Sequence, residues 1–136
     1  MHDASKEDYL RTIYFLYESE REKNQGIRSV ELAKSLKVTK PSVCDMIKKL
    51  VNAGYITAEP YSPFFFTRKG LIKAKRLAHN YRVLEVFLTD VLGYQLDEIK
   101  DEANRLEHAC SEECIRRLDK FLDNPKQCPH GSVIHK

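Results

Sequence analysis

The residues best suited to chemistry crowd into DEANRLEHACSEEC, residues 101 to 114. Carboxylates, an amide, a histidine and two cysteines share one expected helical stretch there. Asn104, Glu107 and His108 are spaced i, i+3, i+4, so their side chains leave a helix on one face. Two oxygen donors and an imidazole, completed by a carboxylate from another helix, suit Mn(II), Fe(II), Co(II) or Zn(II); the face itself holds no soft sulfur. The same spacing also serves an ordinary surface ion-pair network with Arg105. Spacing alone does not choose between them. Cys110 continues the apolar stripe Ile99, Ala103, Leu106 and reads as core. Cys114, just before Leu118 and Phe121, reads as half-buried, and Cys44 as packing. Cys128 and His130 in CPH make a weak ligand pattern for which a turn is the commoner use. No nucleophile is paired with a base and no glycine-rich phosphate loop is present, so the chain does not read as an enzyme.

Net charge separates two regions. Residues 28–82 carry 12 Lys and Arg against three acids, a surplus of +9, whereas residues 83–124 carry 5 basic against 11 acidic residues, or −6. A basic half suits a polyanion, and an acidic half suits another task. The N-terminus MHDASKEDYL has no signal-peptide apolar region, and no apolar run is long enough for a membrane span. The expected compartment is the cytosol, with reduced cysteines and no membrane partner.

Periodicity supplies the elements that must hold these groups. Leu10, Ile13, Tyr14, Leu16 and Tyr17 recur at helical spacing with Ser5 as N-cap, and SEREKNQG ends that helix in a polar loop. SVELAKSLKV predicts a short second helix burying Val30, Leu32, Ala33 and Leu36. KPSVCDMIKKLVNAGY predicts a third, capped by Thr39, with Pro41 in the first turn and Val43, Met46, Ile47 and Leu50 inward. YITAEPYSPFFFT reads as a two-stranded hairpin in which at least one of Phe64, Phe65 and Phe66 must pack. A long helix from Thr67 to about Leu92 follows, then helices from about Leu96 to Ala109 and from about Glu112 to Leu122. The tail DNPKQCPHGSVIHK has no periodicity and reads as loop. The fold class is mainly α. A winged helix-turn-helix over 1–70 precedes an all-helical part over 71–136.

A recognition helix enters the major groove by its N-terminal half, so its residues there must be polar and outward. Thr39, Lys40, Pro41, Ser42, Asp45 and Lys49 meet that description, with Pro41 a rigid apolar contact for a thymine methyl. Arg28, Lys34, Lys37, Lys48, Arg68 and Lys69 suit phosphates, which fix register without reading sequence. A module this small reads few base pairs, so double-stranded operator binding is expected from a homodimer, built by the helices after residue 67.

EDYLRTIYFL, SVELAKSLKVTKPSVCDMIKKLVNAGYI, FTRKG, RVLEVFLTDVLG and DEANRLEHACSEE, in that order and with CPHG near the end, resemble the diphtheria-toxin-repressor family of metal-dependent regulators. The resemblance covers roughly residues 4 to 131 and is to the two-domain form without the SH3-like third domain. It implies a metal site with one ligand from the first helix, at Asp8, and three from Asn104, Glu107 and His108. Family members commonly have Cys or Glu where this chain has the neutral, weaker Asn104. It implies a second site from a long-helix histidine, here Tyr81, and a carboxylate, here Glu85. Manganese regulators add a carboxylate where this chain has Arg11, and iron regulators a histidine where it has Lys100. These replacements argue for a single tight site. The implied function is a metal-responsive transcription regulator, a repressor of metal-homeostasis genes, activated by Mn(II) or Fe(II), with Zn(II) or Co(II) as substitutes. The alternative is a winged-helix scaffold for DNA or protein that has lost metal control.

Overall fold

The structure is a computed structural model that describes residues 5–19 and 25–135 and divides into two compact units, Met1–Leu77 and Ala78–Lys136. In the first unit, α1 (Lys6–Ser19) starts at a reciprocal cap. The Asp8 amide donates to Ser5 Oγ at 3.2 Å, and the Ser5 amide donates to Asp8 Oδ2 at 2.9 Å, which satisfies two of the helix's orphan donors. Tyr9, Leu10, Ile13 and Tyr14 form its buried face. Most of the expected loop SEREKNQG, residues 20–24, lies outside the described residues. The second helix, α2 (Ser29–Leu36), has only eight residues. Two turns cover a narrow stripe, so Leu32 is buried while Val30, expected inside, is 50 % exposed. It ends with Lys37 in the left-handed conformation at φ 56°.

Helix α3 (Lys40–Asn52) begins where the sequence places it: the Thr39 side chain accepts from the Ser42 amide, and Val43, Ile47 and Leu50 face inward. Met46 is only half-buried, and Cys44 is exposed rather than packed. Strands β1 (Ile56–Thr57) and β2 (Phe65–Phe66) pair antiparallel, Ile56 opposite Phe66 and Thr57 opposite Phe65. Ile27 adds a third piece by exchanging two 2.9 Å backbone hydrogen bonds with Phe64. Of the three phenylalanines, Phe64 is the one fully packed, at 2 % exposed, while Phe65 stays outside at 40 %. The expected hairpin and its buried aromatic are both present. Gly70 shows how tightly the unit closes: a Cβ there would sit 1.8 Å from the Tyr55 carbonyl oxygen. Only glycine fits.

Helix α4 (Arg68–Val86) carries the chain from the first unit into the second. The expected straight run to Leu92 is not kept as α-helix. Phe87–Val91 widens into a π turn, and the Leu92 amide reaches back to the Phe87 carbonyl at 3.2 Å. The Thr89 hydroxyl is shared between the carbonyls of Glu85 (3.1 Å) and Val86 (3.2 Å), occupying acceptors that a widened turn loosens. Helix α5 (Ile99–Ala109) starts three residues later than Leu96, which is 50 % exposed. Ser111 caps α6 (Glu112–Phe121) by accepting from the Cys114 amide. Cys114 is exposed rather than half-buried, and Phe121 is 69 % exposed.

The tail holds more order than its composition suggests. Residues 126–135 fold into a narrow strap: the Ile134 amide donates to the Lys126 carbonyl (2.8 Å) and the Cys128 amide to the Ser132 carbonyl (2.9 Å). Cys128 and Ile134 from the strap join Val83 and Val86 from α4 in one apolar cluster, flanked by Leu118 and Leu122. Each aliphatic side chain buried this way contributes about 1.5–3 kcal/mol, enough to hold a short segment with little regular structure. The expected loop is a packed element.

Candidate metal centre and nucleic-acid interface

The strap and α4 together position a ligand cluster in the second unit. Glu85, near the end of α4, is 4 % exposed, and Cys128 is 6 % exposed. After Cys128 the chain reverses at once: its carbonyl accepts from the Gly131 amide at 2.9 Å, with Pro129 and His130 at the corners and Gly131 at φ 89°. That reversal brings His130 Nδ1 to 3.2 Å from Glu85 Oε2. The ligand atoms of Glu85, Cys128 and His130 all lie within 4.8 Å of one another. Among the described residues this is the group of three His, Cys, Asp or Glu side chains able to meet on one ion.

The donor set fits a divalent metal. A carboxylate as deep as that of Glu85 needs positive charge beside it, and a metal ion answers that need with the thiol and imidazole already convergent. A thiolate sulfur also makes the site softer than the oxygen-rich face read from residues 104–108, which favours Zn(II), Co(II) or Fe(II) over Mn(II). When bound, such an ion ties the strap to α4. Of these three residues the sequence reading singled out Glu85 as a ligand and left Cys128 and His130 as a weak pattern. The available signal was proline after the cysteine and glycine after the histidine, the chemistry of a tight turn.

The face on α5 is assembled differently. Asn104 and Glu107 are half-buried and His108 is exposed on the same side of the helix. Arg105, the expected ion-pair partner of this face, pairs with Glu102 instead. In the first unit Asp8 is 3 % exposed, with one carboxylate oxygen on the Ser5 amide and the other 3.4 Å from the Arg11 guanidinium. Tyr81 is buried, and its hydroxyl lies 3.5 Å from the Lys100 carbonyl oxygen, a long hydrogen bond. Cys110, at the end of α5, has its thiol pushed up by burial and by the Cys114 thiol beside it.

In the first unit, Lys37, Thr39, Lys40, Pro41, Ser42, Asp45, Lys48 and Lys49 are all exposed on or just before α3, and Arg28 and Arg68 are exposed as well. Thr39 and Ser42 also spend hydrogen-bonding capacity on each other, hydroxyl to hydroxyl at 2.9 Å, so they fix the helix start as well as offering polar groups. Lys69 is placed otherwise than as a free phosphate contact. Its Nζ donates to the Ala53 carbonyl at 2.9 Å and lies 4.9 Å from the centre of the Tyr55 ring. Tyr61, at the tip of the hairpin with φ 61°, stands fully exposed and went unremarked in the sequence.

Two family descriptions match, one after the other. Residues 1–63 match the iron-dependent repressor N-terminal DNA-binding domain, and residues 67–136 its metal-binding and dimerisation domain. The chain belongs to the iron-dependent repressor family. Its members are transcriptional regulators, and this one is a metal-dependent regulator with both matched domains. It is 38 % identical over 122 residues to an uncharacterized HTH-type transcriptional regulator of Methanocaldococcus jannaschii, covering 90 % of this chain and 95 % of that protein. It is 33 % identical over 130 residues to the diphtheria toxin repressor of Corynebacterium efficiens, covering 94 % of this chain but 54 % of that one. Among solved structures it is similar to the manganese regulator SloR (39 % identity, TM-score 0.86, 99 % of this chain and 61 % of that one). It is also similar to ScaR with bound Zn2+ (37 % identity, TM-score 0.78, 97 % and 60 %). The chain thus spans about half the length of the repressor and three-fifths of the two structures. No helix among the described residues is long and apolar enough to cross a membrane.

Proposed function

We propose that this family member binds operator DNA as a homodimer and that a divalent transition metal acts as its co-repressor. The observation that carries the reading is the convergence of Glu85, Cys128 and His130 from distant parts of the sequence. An ion held there locks the strap to α4. The Asn104, Glu107 and His108 face is a second, weaker ion-binding surface, to which the family resemblance adds Asp8. Val91, Leu92, Leu96, Phe121 and Val133 are large, apolar and 45–69 % exposed in the second unit, which supports dimer formation there. Metal that orders this unit strengthens the dimer, and a dimer holds an operator with two recognition helices. Linkage then requires DNA to tighten metal binding by the same factor.

Lys40, Pro41, Ser42, Asp45 and Lys49 read the major groove, with Thr39 setting the start of their helix. Arg28, Lys37, Lys48 and Arg68 contact phosphates. Lys69 remains a phosphate contact only if the nucleic acid displaces it from the Ala53 carbonyl. The chain functions in the cytoplasm, with duplex DNA and its own second copy as partners.

The test is fluorescence anisotropy of labelled duplex DNA with the protein in Mn(II), Fe(II), Co(II), Zn(II) or chelator, over a range of salt. At least a ten-fold gain on adding one of these metals, and a steep loss of affinity with salt, are expected. Equal affinity with metal and chelator would favour the scaffold reading.

A further inference from the structure

The strap is held to the rest of its unit on two levels. Underneath, Cys128 and Ile134 pack on Val83 and Val86. Along its second leg, two buried cationic-type side chains of α4 seize its carbonyl oxygens. Arg82 Nη1 donates to the Val133 carbonyl at 2.9 Å, and His79 Nδ1 lies 2.5 Å from the His135 carbonyl oxygen. His79, Arg82, Val83 and Val86 are spaced i, i+3, i+4, i+7, so one stripe of α4 makes all of these contacts. Glu85 rises beside that stripe.

His79 has a second engagement. Its Nε2 lies 3.1 Å from Asp119 Oδ2 on α6, while the residue as a whole is 8 % exposed. Both ring nitrogens therefore face oxygen acceptors. A carbonyl and a carboxylate together call for two N–H donors, and only the imidazolium supplies two. Its charge is met by Asp119, so the arrangement is a buried, fully matched clamp joining α4, α6 and the end of the strap. His79 touches none of the three ligand side chains.

We propose that His79 is a positioning residue of the Glu85, Cys128 and His130 centre. It fixes the leg from Ser132 to His135, and that leg in turn supplies the Ser132 carbonyl that the Cys128 amide bonds at the base of the turn. The turn so held presents the His130 ring and the Cys128 thiol to Glu85 before any ion arrives. Arg82 anchors the neighbouring carbonyl, and Asp119 orients the ring. The proposal rests on the reading of these three residues as a metal centre.

The experiment is Co(II) titration of the full chain, following the thiolate-to-cobalt charge-transfer band, for wild type, Cys128→Ser, His79→Leu, Asp119→Leu and Asp119→Asn. Cys128→Ser should abolish the band. His79→Leu should weaken Co(II) binding about 10–100-fold, the usual cost of losing a group that orients metal ligands. The two Asp119 variants carry the discriminating result. Asparagine and leucine are of similar size, but the amide of Asp119→Asn can donate to a neutral His79, which still donates to the His135 carbonyl. Asp119→Asn should therefore bind Co(II) within a few-fold of wild type, while Asp119→Leu should lose about ten-fold. A purely packing role would not separate the two.

If Cys128→Ser loses the band while His79→Leu and Asp119→Leu keep wild-type affinity, the metal centre stands and His79 is not its positioning residue. Should His79→Leu fail to fold, equal affinity of the two Asp119 variants overturns the proposal instead. If wild type itself gives no Cys128-dependent band, the metal-centre reading fails and takes the proposal with it.

Discussion

Two groups of ligand-type residues lie in the second unit, and they are built in opposite ways. Asn104, Glu107 and His108 come from successive turns of one helix, and His108 is exposed. Their grouping is a by-product of α-helical geometry, and any helix with those letters would show it. Glu85, Cys128 and His130 are brought together across 43 sequence positions by a buried cluster, a tight turn and side-chain clamps on backbone carbonyls. Such an arrangement has no reason to exist without a use for it, because ordering a polar turn over a buried carboxylate costs conformational entropy. Local spacing nominates ligands. Long-range assembly is the stronger argument that they work.

The largest expected effect breaks the assembled group directly. Cys128→Ser replaces the one soft donor with a hydroxyl and should lower Co(II) affinity by at least about 100-fold, measured by competition with a chelating dye. Its fold should survive, because serine fills nearly the same volume at the edge of the apolar cluster. Loss of less than ten-fold would remove the distinction between the two groups.

His108→Ala is the matching lesion on the local group. Glu107 and Asn104 keep only oxygen coordination without it, and the metal-dependent gain in DNA affinity should disappear while the fold stays intact. The effect on Co(II) bound at Cys128 should be less than about three-fold, since the residues belong to a different cluster. If His108→Ala also removes the Cys128-dependent cobalt band, the two groups serve one ion and the comparison collapses.

A backbone change sharpens the picture further. Gly131 sits at φ 89° with open space where a Cβ would go, so Gly131→Ala meets conformational strain but no collision. The cost should be about 1–2 kcal/mol against the turn that carries His130, seen as a several-fold weaker Co(II) affinity with little change in melting temperature. The smallest effect concerns thiol reactivity. Cys44 and Cys114 are exposed and should alkylate first at neutral pH, with Cys110 slower because burial holds its thiol in the protonated form. Cys128 should be slowest, and slower again with Zn(II) present. Alkylation rates read by mass spectrometry check the order.

The first unit was largely legible before any coordinates. Its helices announce themselves by 3.6-residue periodicity, its caps by Ser5 and Thr39, and its hairpin by aromatic residues around a Pro/Ser turn. These signals are local, so a local reading finds them. Val30 and Cys44 went astray because the second and third helices bury narrow stripes that residue type alone does not delimit. In the second unit the helices were found, but the strap was read as loop. Its order comes from Cys128 and Ile134 reaching α4 and from carbonyls taken by His79 and Arg82, none of which leaves a periodic trace. Glu85 entered through family resemblance. Its partners Cys128 and His130 are what a spacing rule over short distances passes by.

The widened turn at Phe87–Val91 has a consequence for how the chain counts. A π turn holds one residue more than an α-helix needs for the same advance. Each helical residue turns the direction of the next side chain by about 100°. Removing one residue from this stretch would let the helix tighten, and everything after it would point a quarter-turn or more away from its present heading. The surplus residue therefore acts as a phase shifter between Glu85 and the helices that follow. It lets the face carrying the carboxylate and the faces presented downstream be set independently, at the expense of a single extra position in the chain.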